Sequence, residues 1–178
     1  MMLSETHLAI RDTLRTFVSE QIAPFAQKWS EEKRYPKEAL RALGELGALG
    51  VAVPERYGGA GMDYLALAII LEEIAAGDGA TSTIVSVNNC PVCSILMSVA
   101  NEEQKQKYLT PLARGEWIGA FALTEPHAGS DASDLRTTAR KVGDHYVLNG
   151  TKQFITSGKN GQVAIVMAVT DKSAGKKG

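Results

Sequence analysis

The sequence predicts an α+β chain, with a helical block first and a β block after it. Three observations carry this. Up to about Gly115, apolar residues recur at three- and four-residue steps. From Trp117 onward the pattern shortens to alternating or continuous apolar runs, broken by Gly143-Asp144 and Asn149-Gly150, which are tight-turn pairs. The helices and strands are segregated rather than alternating, which argues against a doubly wound parallel sheet. The expected division is residues 1–115 as an N-terminal α-helical domain and 116–178 as part of a β domain.

The bulk composition fits a globular chain. With 178 residues, 44% of them hydrophobic and 22% charged, the chain can bury a core without staples. A formal net charge of −1 gives no bulk field to recruit nucleic acid or an anionic membrane. The first ten residues carry Glu5 and His7 and no apolar signal core, and no apolar run is expected to be long enough to span a bilayer. A cytoplasmic location is the default expectation.

Residues 5–29 read as an amphipathic helix, with Leu14, Phe17, Val18, Ile22 and Phe25 on one face and Pro24 placed to kink or end it. Pro36 opens a second helix, where its missing N–H costs nothing; Leu40, Leu43 and Leu46 form its apolar face and Gly47 and Gly50 end it. Residues 51–63 form a loop containing Gly58, Gly59 and Gly61. No Lys-Ser/Thr follows these glycines, so the loop is no P-loop and is expected to be a crossover. Residues 64–76 are apolar around most of a helix, as in a central helix. Glu72 and Glu73 diverge by about 100° on it and are expected at a solvated or salt-bridged edge rather than on one substrate.

The next helix, residues 81–100, contains Pro91, which should kink or split it. Asn88 and Asn89 just before it either need buried partners or line a pocket. Asn101 and Gln104 resemble a capping box that opens a short helix ending near Gly115. Strands are expected at 117–123, 135–142, 146–148, 151–156 and 163–169, the last fully apolar. The polar DKSAGKKG segment, residues 171–178, follows that strand directly. Four or five strands without a closing partner would leave open edges, so a truncated product or a fragment is expected.

Two stretches attract chemistry. Cys90 and Cys93 form CPVC, but no second pair or clustered histidine completes a zinc site, and the motif lies inside a helical stretch rather than at the start of a helix after a strand. Small packed or pocket-lining side chains are the preferred reading, and no metal is expected. The other stretch is FALTEPHAGSD. Here the apolar run Phe121-Ala122-Leu123 breaks into Thr124, Pro126, Gly129, Ser130 and Asp131. Hydroxyls and free N–H groups in such a turn can form a concave anion site, although most turns of this composition are only turns.

FALTEPHAGSDAS, LRTTARKVGDHYVLNGTKQFITSG, VPERYGGAGMDYLALAIILEEIA, SVNNC and NEEQKQKYLTPLARGEWIGAFALTEP together resemble the acyl-CoA dehydrogenase family, in order and over nearly the whole chain. SVNN, FAL-TEP and VLNGTK look most like its short-chain branch. The resemblance implies an N-terminal helical domain, a middle β-barrel domain of which this chain holds the first strands, and a C-terminal helical bundle beyond Gly178. It also implies α,β-dehydrogenation of an acyl-CoA thioester. A carboxylate takes the α-proton, the β-hydride goes to FAD, and an electron-transferring flavoprotein reoxidises the flavin. The full-length protein is expected to be a homo-oligomer, a homotetramer.

Carried over position by position, Phe121, Leu123 and Thr124 match the strand and turn that pass the flavin. Gly129 and Ser130 match pyrophosphate contacts, with Ser130 also near the acyl-CoA, and Phe154, Ile155 and Thr156 match the segment against the isoalloxazine. Val87, Asn88 and Cys90 are the candidate wall of the acyl end. His127 stands where the pattern usually has a small residue, and Phe154 where many relatives have Trp. The catalytic Glu of the family falls beyond Gly178. Glu125 is a tempting substitute whose match is structural, so the chain alone is expected to be inactive. Two other readings remain open at this stage: a non-catalytic partner-binding module, and an oxidase or monooxygenase relative of the same fold.

Overall fold

The structure is a computed structural model that describes residues 3–177. Met1, Met2 and Gly178, which belong to the expected N-terminal and C-terminal segments, lie outside the described residues. Ser4 opens α1 (Glu5–Gln21) with a capping box. Its hydroxyl accepts from the His7 N–H at 3.2 Å, and the His7 ring accepts from the Ser4 N–H at 3.4 Å. The single helix expected over 5–29 is two helices. The chain breaks at Ile22 (φ −121°, ψ −61°), and α2 (Ala23–Glu32) follows with Pro24 in its first turn, where a missing N–H is harmless. Pro36 precedes α3 (Lys37–Glu45).

The glycine-rich loop that follows folds back on its own entry. The N–H groups of Ala60, Gly61 and Met62 donate to the carbonyls of Gly50, Val53 and Val51 at 2.8–2.9 Å. A Cβ on Gly59 would lie 2.1 Å from the Val53 carbonyl, so the close approach itself requires glycine there. These donors are spent internally, which is why the loop is a crossover and not an anion cradle.

Asp63 caps α4 (Tyr64–Gly77), accepting from the Ala66 N–H at 2.8 Å. Leu67, Ile70 and Ile74 of α4 join Leu14, Val18 and Ile22 of α1, and Leu40 and Leu43 of α3, in the first core cluster. Each such side chain contributes about 1.5–3 kcal/mol when fully buried. Glu73 sits at the edge of this packing, 8% exposed, and takes a two-pronged contact from Arg15 at 2.6 and 3.0 Å. The salt-bridged edge expected of this pair of acids is therefore Glu73's.

Asp78 caps α5 (Gly79–Val87). A wide turn, Asn88–Cys93, then carries the chain into α6 (Ser94–Val99); within it Cys90 leaves helical geometry (φ −143°, ψ 104°) and the Cys90–Pro91 peptide is cis. The run Gly79–Val99 has 21 residues and an 18-residue window of mean hydropathy 1.3, which meets the length and composition of a bilayer-crossing helix. The expectation that no run is long enough is corrected on that point. Within this run the chain leaves helical geometry at Cys90, and the buried Asn88 and Asn89 amides donate to the Leu49 and Ala48 carbonyls of the loop after α3. The Asn101 and Gln104 capping box forms at 2.8 and 3.0 Å and leads through α7 (Glu102–Gln104) and a wide turn, Lys105–Leu109, to α8 (Thr110–Ala113).

Strands follow. β1 (Gly119–Ala122) pairs in parallel with β4 (Val163–Val166), and β2 (Thr138–Val142) pairs antiparallel with β3 (His145–Asn149) through a turn at Gly143 (φ 62°). The Ala139 N–H to Val169 carbonyl bond at 2.9 Å and the Val169 N–H to Thr137 carbonyl bond at 2.8 Å join the two pairs. Phe121, Val163 and Ile165 pack on a second core cluster formed by Val53, Tyr57, Val92, Leu96, Leu109 and Leu112, and this attaches the sheet to the helices.

Two strand expectations change. Residues 151–156 form no strand, because Phe154 (φ 55°) and nearby Ser157 (φ 59°) adopt left-handed backbone that no ladder accommodates. The last strand ends at Val166 and alternates between half-buried and exposed side chains instead of being buried on both faces.

Candidate functional site

The C-terminal end of β1 and the irregular segment after β3 meet. The Leu123 carbonyl accepts from Lys152 Nζ at 2.9 Å, and the Thr124 carbonyl accepts from the Gln153 N–H at 3.0 Å. The FALTEPHAGSD turn and the segment leading into Phe154–Thr156 are thus joined directly. Glu125 anchors it. Its N–H and carbonyl exchange bonds with Ala128 at 3.0 and 3.2 Å, closing a tight turn with Pro126 and His127 at the tip. Its carboxylate is 1% exposed and accepts from Lys152 Nζ at 2.7 Å, the Arg136 N–H at 2.7 Å and the Thr137 N–H at 3.0 Å.

Burial opposes ionisation of Glu125, but the Lys152 ammonium and the donors of residues 136 and 137 outweigh it. The carboxyl is held down at about 2. A carboxylate so committed is no proton acceptor at neutral pH, and Glu125 is a structural anchor. The sequence had not shown its partner, Lys152, which lies 27 residues away. The one available signal was that Lys152 is the sole charged residue in the stretch 146–158.

Beyond the tight turn, Asp131 Oδ1 accepts from Ser133 N–H at 2.9 Å and from Ser133 Oγ at 2.5 Å, and the His127 ring donates to the Asp134 carbonyl at 3.1 Å. These bonds shape residues 126–134 from within. Gly129 and Ser130 are exposed, and their N–H groups have no partner among the described residues. A Cβ on Gly129 would meet nothing within 4 Å, so the space beside this turn is open. His127 is turned to the Glu125 and Asp134 side, Nε2 lying 3.4 Å from the Glu125 carboxylate, and so closes the turn rather than blocking it.

On the other side of the shelf, Phe154 holds its ring out at 88% exposure. Its left-handed backbone and that of Ser157 each store about 1–2 kcal/mol. A groove of about 460 Å³ runs beside it, lined by Ala120, Ala122, Lys152, Gln153, Phe154 and Ile155 among others. Leu123, Thr124, Ile155 and Thr156 are half-buried, Ile155 lining the groove, whereas the Phe121 ring turns into the second core cluster.

The suggested acyl wall divides. Val87 is half-buried against the second cluster, and Cys90 is exposed, with Sγ 3.7 Å from Ser94 Oγ. Asn88 is a correction. It is 0% exposed; its amide donates to the Leu49 carbonyl at 2.8 Å and the Leu112 carbonyl at 3.2 Å, and its oxygen accepts from the Gly119 N–H at 2.8 Å. Facing the protein interior with its donors used, it does not line a ligand surface. Asn89 is spent in the same way on Ala48, Val51 and Val85. Burial first, and then neighbouring Cys90, push the Cys93 thiol up to about 12, so at neutral pH this cysteine carries no reactive thiolate.

Fold and site together define a helical domain coupled to a β region that presents free backbone donors at a turn and an unpacked aromatic ring across a groove. Residues 4–116 match the N-terminal domain of acyl-CoA dehydrogenases, and residues 120–178 match their middle domain. The chain belongs to the acyl-CoA dehydrogenase family.

Among its relatives, the mitochondrial short-chain specific acyl-CoA dehydrogenase of Rattus norvegicus is 44% identical over 176 residues, covering 99% of this chain and 43% of that protein. The solved glutaryl-coenzyme A dehydrogenase in complex with glutaryl-CoA superposes with a TM-score of 0.94 at 39% identity, over 98% of this chain and 45% of its own. The glutaryl-CoA dehydrogenase of Mycobacterium smegmatis in complex with FADH2 superposes with a TM-score of 0.91 at 37% identity, over 95% and 44%. The chain spans about half the length of the curated relatives it matches. The open donors at Gly129 and Ser130 and the ring of Phe154 suit a cofactor that combines a diphosphate with a planar ring.

Proposed function

We propose that this chain is the helical domain and part of the flavin-holding β domain of an FAD-dependent dehydrogenase that introduces a Cα–Cβ double bond into short acyl-CoA thioesters. The observation that carries this reading is the Gln153 N–H to Thr124 carbonyl bond, which puts the donor turn and the Phe154 segment on one face. Bound FAD would supply the hydride acceptor.

The chain's own residues bind and orient. The N–H groups of Gly129 and Ser130 would hold the diphosphate, the Thr124 and Thr156 hydroxyls would offer hydrogen bonds to the ring, and Phe154 and Ile155 would offer it apolar surface. Ser130 also serves the acyl-CoA, with Val87 and Cys90 at the acyl end. The α-proton goes to a carboxylate outside residues 1–178, since Glu125 is committed to Lys152. Reoxidation falls to an electron-transferring flavoprotein, and the working assembly is a homotetramer.

Titrating the purified chain with FAD tests the shelf. Quenching of flavin fluorescence, with no bleaching when butyryl-CoA is added to the chain alone, is the expected result. No quenching at any flavin concentration overturns the shelf assignment. Bleaching by the chain alone overturns the placement of the base outside it, and oxygen uptake with butyryl-CoA would indicate an oxidase instead.

A further inference from the structure

The segment 153–159 is neither helix nor strand, yet it holds Phe154 and Ser157 in left-handed backbone at φ 55° and 59°. Several backbone bonds tie it down. Gln153 N–H donates to Thr124, Gly158 N–H donates to the Ile155 carbonyl at 2.9 Å, and both Asn160 and Gly161 N–H groups donate to the Ser157 carbonyl at 3.0 and 2.7 Å. The orientation of the Ser157 peptide therefore decides where the following turn lies. The preceding residues, Ile155 and Thr156, are linked to that turn through Gly158.

Among the described residues, a single side-chain hydrogen bond reaches this segment from elsewhere: Tyr35 Oη to Ser157 Oγ, 3.1 Å, across 122 positions of sequence. Tyr35 is anchored in the helical domain. It lies in the link between α2 and α3, and its ring packs on the first core cluster. Burial of the phenol raises its pKa while the Ser157 contact lowers it, and the net direction is upward, so at neutral pH it is a protonated hydroxyl able to donate. Around the bond the two parts do not close on each other. A cleft of about 420 Å³ lies there, lined by Tyr35, Thr83, Ile84, Ile155, Thr156 and Ser157. The bond thus spans a contact that packing leaves open, and among the described residues the Ser157 hydroxyl makes no second hydrogen bond.

We propose that Tyr35 is a positioning residue for the flavin-facing segment. Its hydroxyl holds Ser157 in left-handed backbone from the helical domain, and through Ser157 it sets the placement of Thr156 and Phe154. The statement about flavin rests on the function proposed above; the statement about the segment does not.

Amide hydrogen exchange on the purified chain separates the two. Tyr35→Phe and Ser157→Ala are each expected to speed exchange at Gly158, Asn160 and Gly161 by roughly three- to tenfold, what one net hydrogen bond contributes. The double variant should be no faster than either single one, and α4 amides should be unchanged. Ser157→Gly in the Tyr35→Phe background should recover much of the protection, because glycine adopts φ near 59° without the hydroxyl's help. A Tyr35 that acted only by packing would show no such rescue. Unchanged exchange in Tyr35→Phe, or additive effects in the double variant, overturns the proposal whether or not flavin binds. If exchange responds as expected and FAD affinity falls several-fold in Tyr35→Phe, both halves stand. If exchange responds but the wild-type chain takes up no FAD, the reading of the site fails and the positioning of the segment by Tyr35 remains.

Discussion

Replacing Glu125 by Gln would leave the Lys152 ammonium, only 12% exposed, without its carboxylate, and would put an amide where three donors converge. A buried pair broken on one side costs about 3 kcal/mol, so Glu125→Gln should lower stability by that order in urea unfolding at pH 7. The pH dependence has a definite sign. The folded carboxyl is depressed from 4.5 to about 2, so its stabilisation is complete above 4.5 and is lost as pH falls through 2. Wild type and variant should converge across that window; a gap that stayed constant down to pH 2 would refute the anchor role. Phe154 behaves in the opposite way. At 88% exposure its ring supports little of the fold, so Phe154→Ala should change stability by less than ~0.5 kcal/mol while weakening FAD binding at least about threefold in a fluorescence titration.

At the scale of elements, Asn88 and Asn89 are the hinge between α5, the loop after α3 and the start of β1. Asn88→Ala would strand the Leu49 and Leu112 carbonyls and the Gly119 N–H in the interior, and should cost at least about 3 kcal/mol by chemical denaturation. A loss below ~1 kcal/mol would mean that water replaces the amide. How much of this was legible varied from residue to residue. The capping box at Asn101 and Gln104, the proline that opens α3 and the kink at Pro91 act over four residues or fewer, and they could be read directly from the sequence. Asn88 could be read only as a choice between buried partner and pocket lining, because its partners lie 24 to 39 residues away. The strand expected at 151–156 failed because a run of mixed apolar and β-branched residues says nothing of the left-handed backbone that tertiary contacts impose at Phe154 and Ser157.

Across the whole molecule, the helical region holds most of the buried side chains, while β3 is exposed along its whole length and β2 is half-buried or exposed throughout. Native-state hydrogen exchange should therefore release the β2–β3 hairpin first and the α1 and α4 amides last; a hairpin as protected as α4 would contradict this ordering. The sequence by itself determined the order of blocks, most helix boundaries and the family, because periodicity, caps and ordered motifs are local or collinear properties. Only the tertiary structure decided that Glu125 is paired with Lys152 and is no base, that Asn88 faces the interior, and that Tyr35 reaches Ser157. Each of these depends on groups brought together from distant positions, where burial and a single well-placed partner fix what a side chain can do.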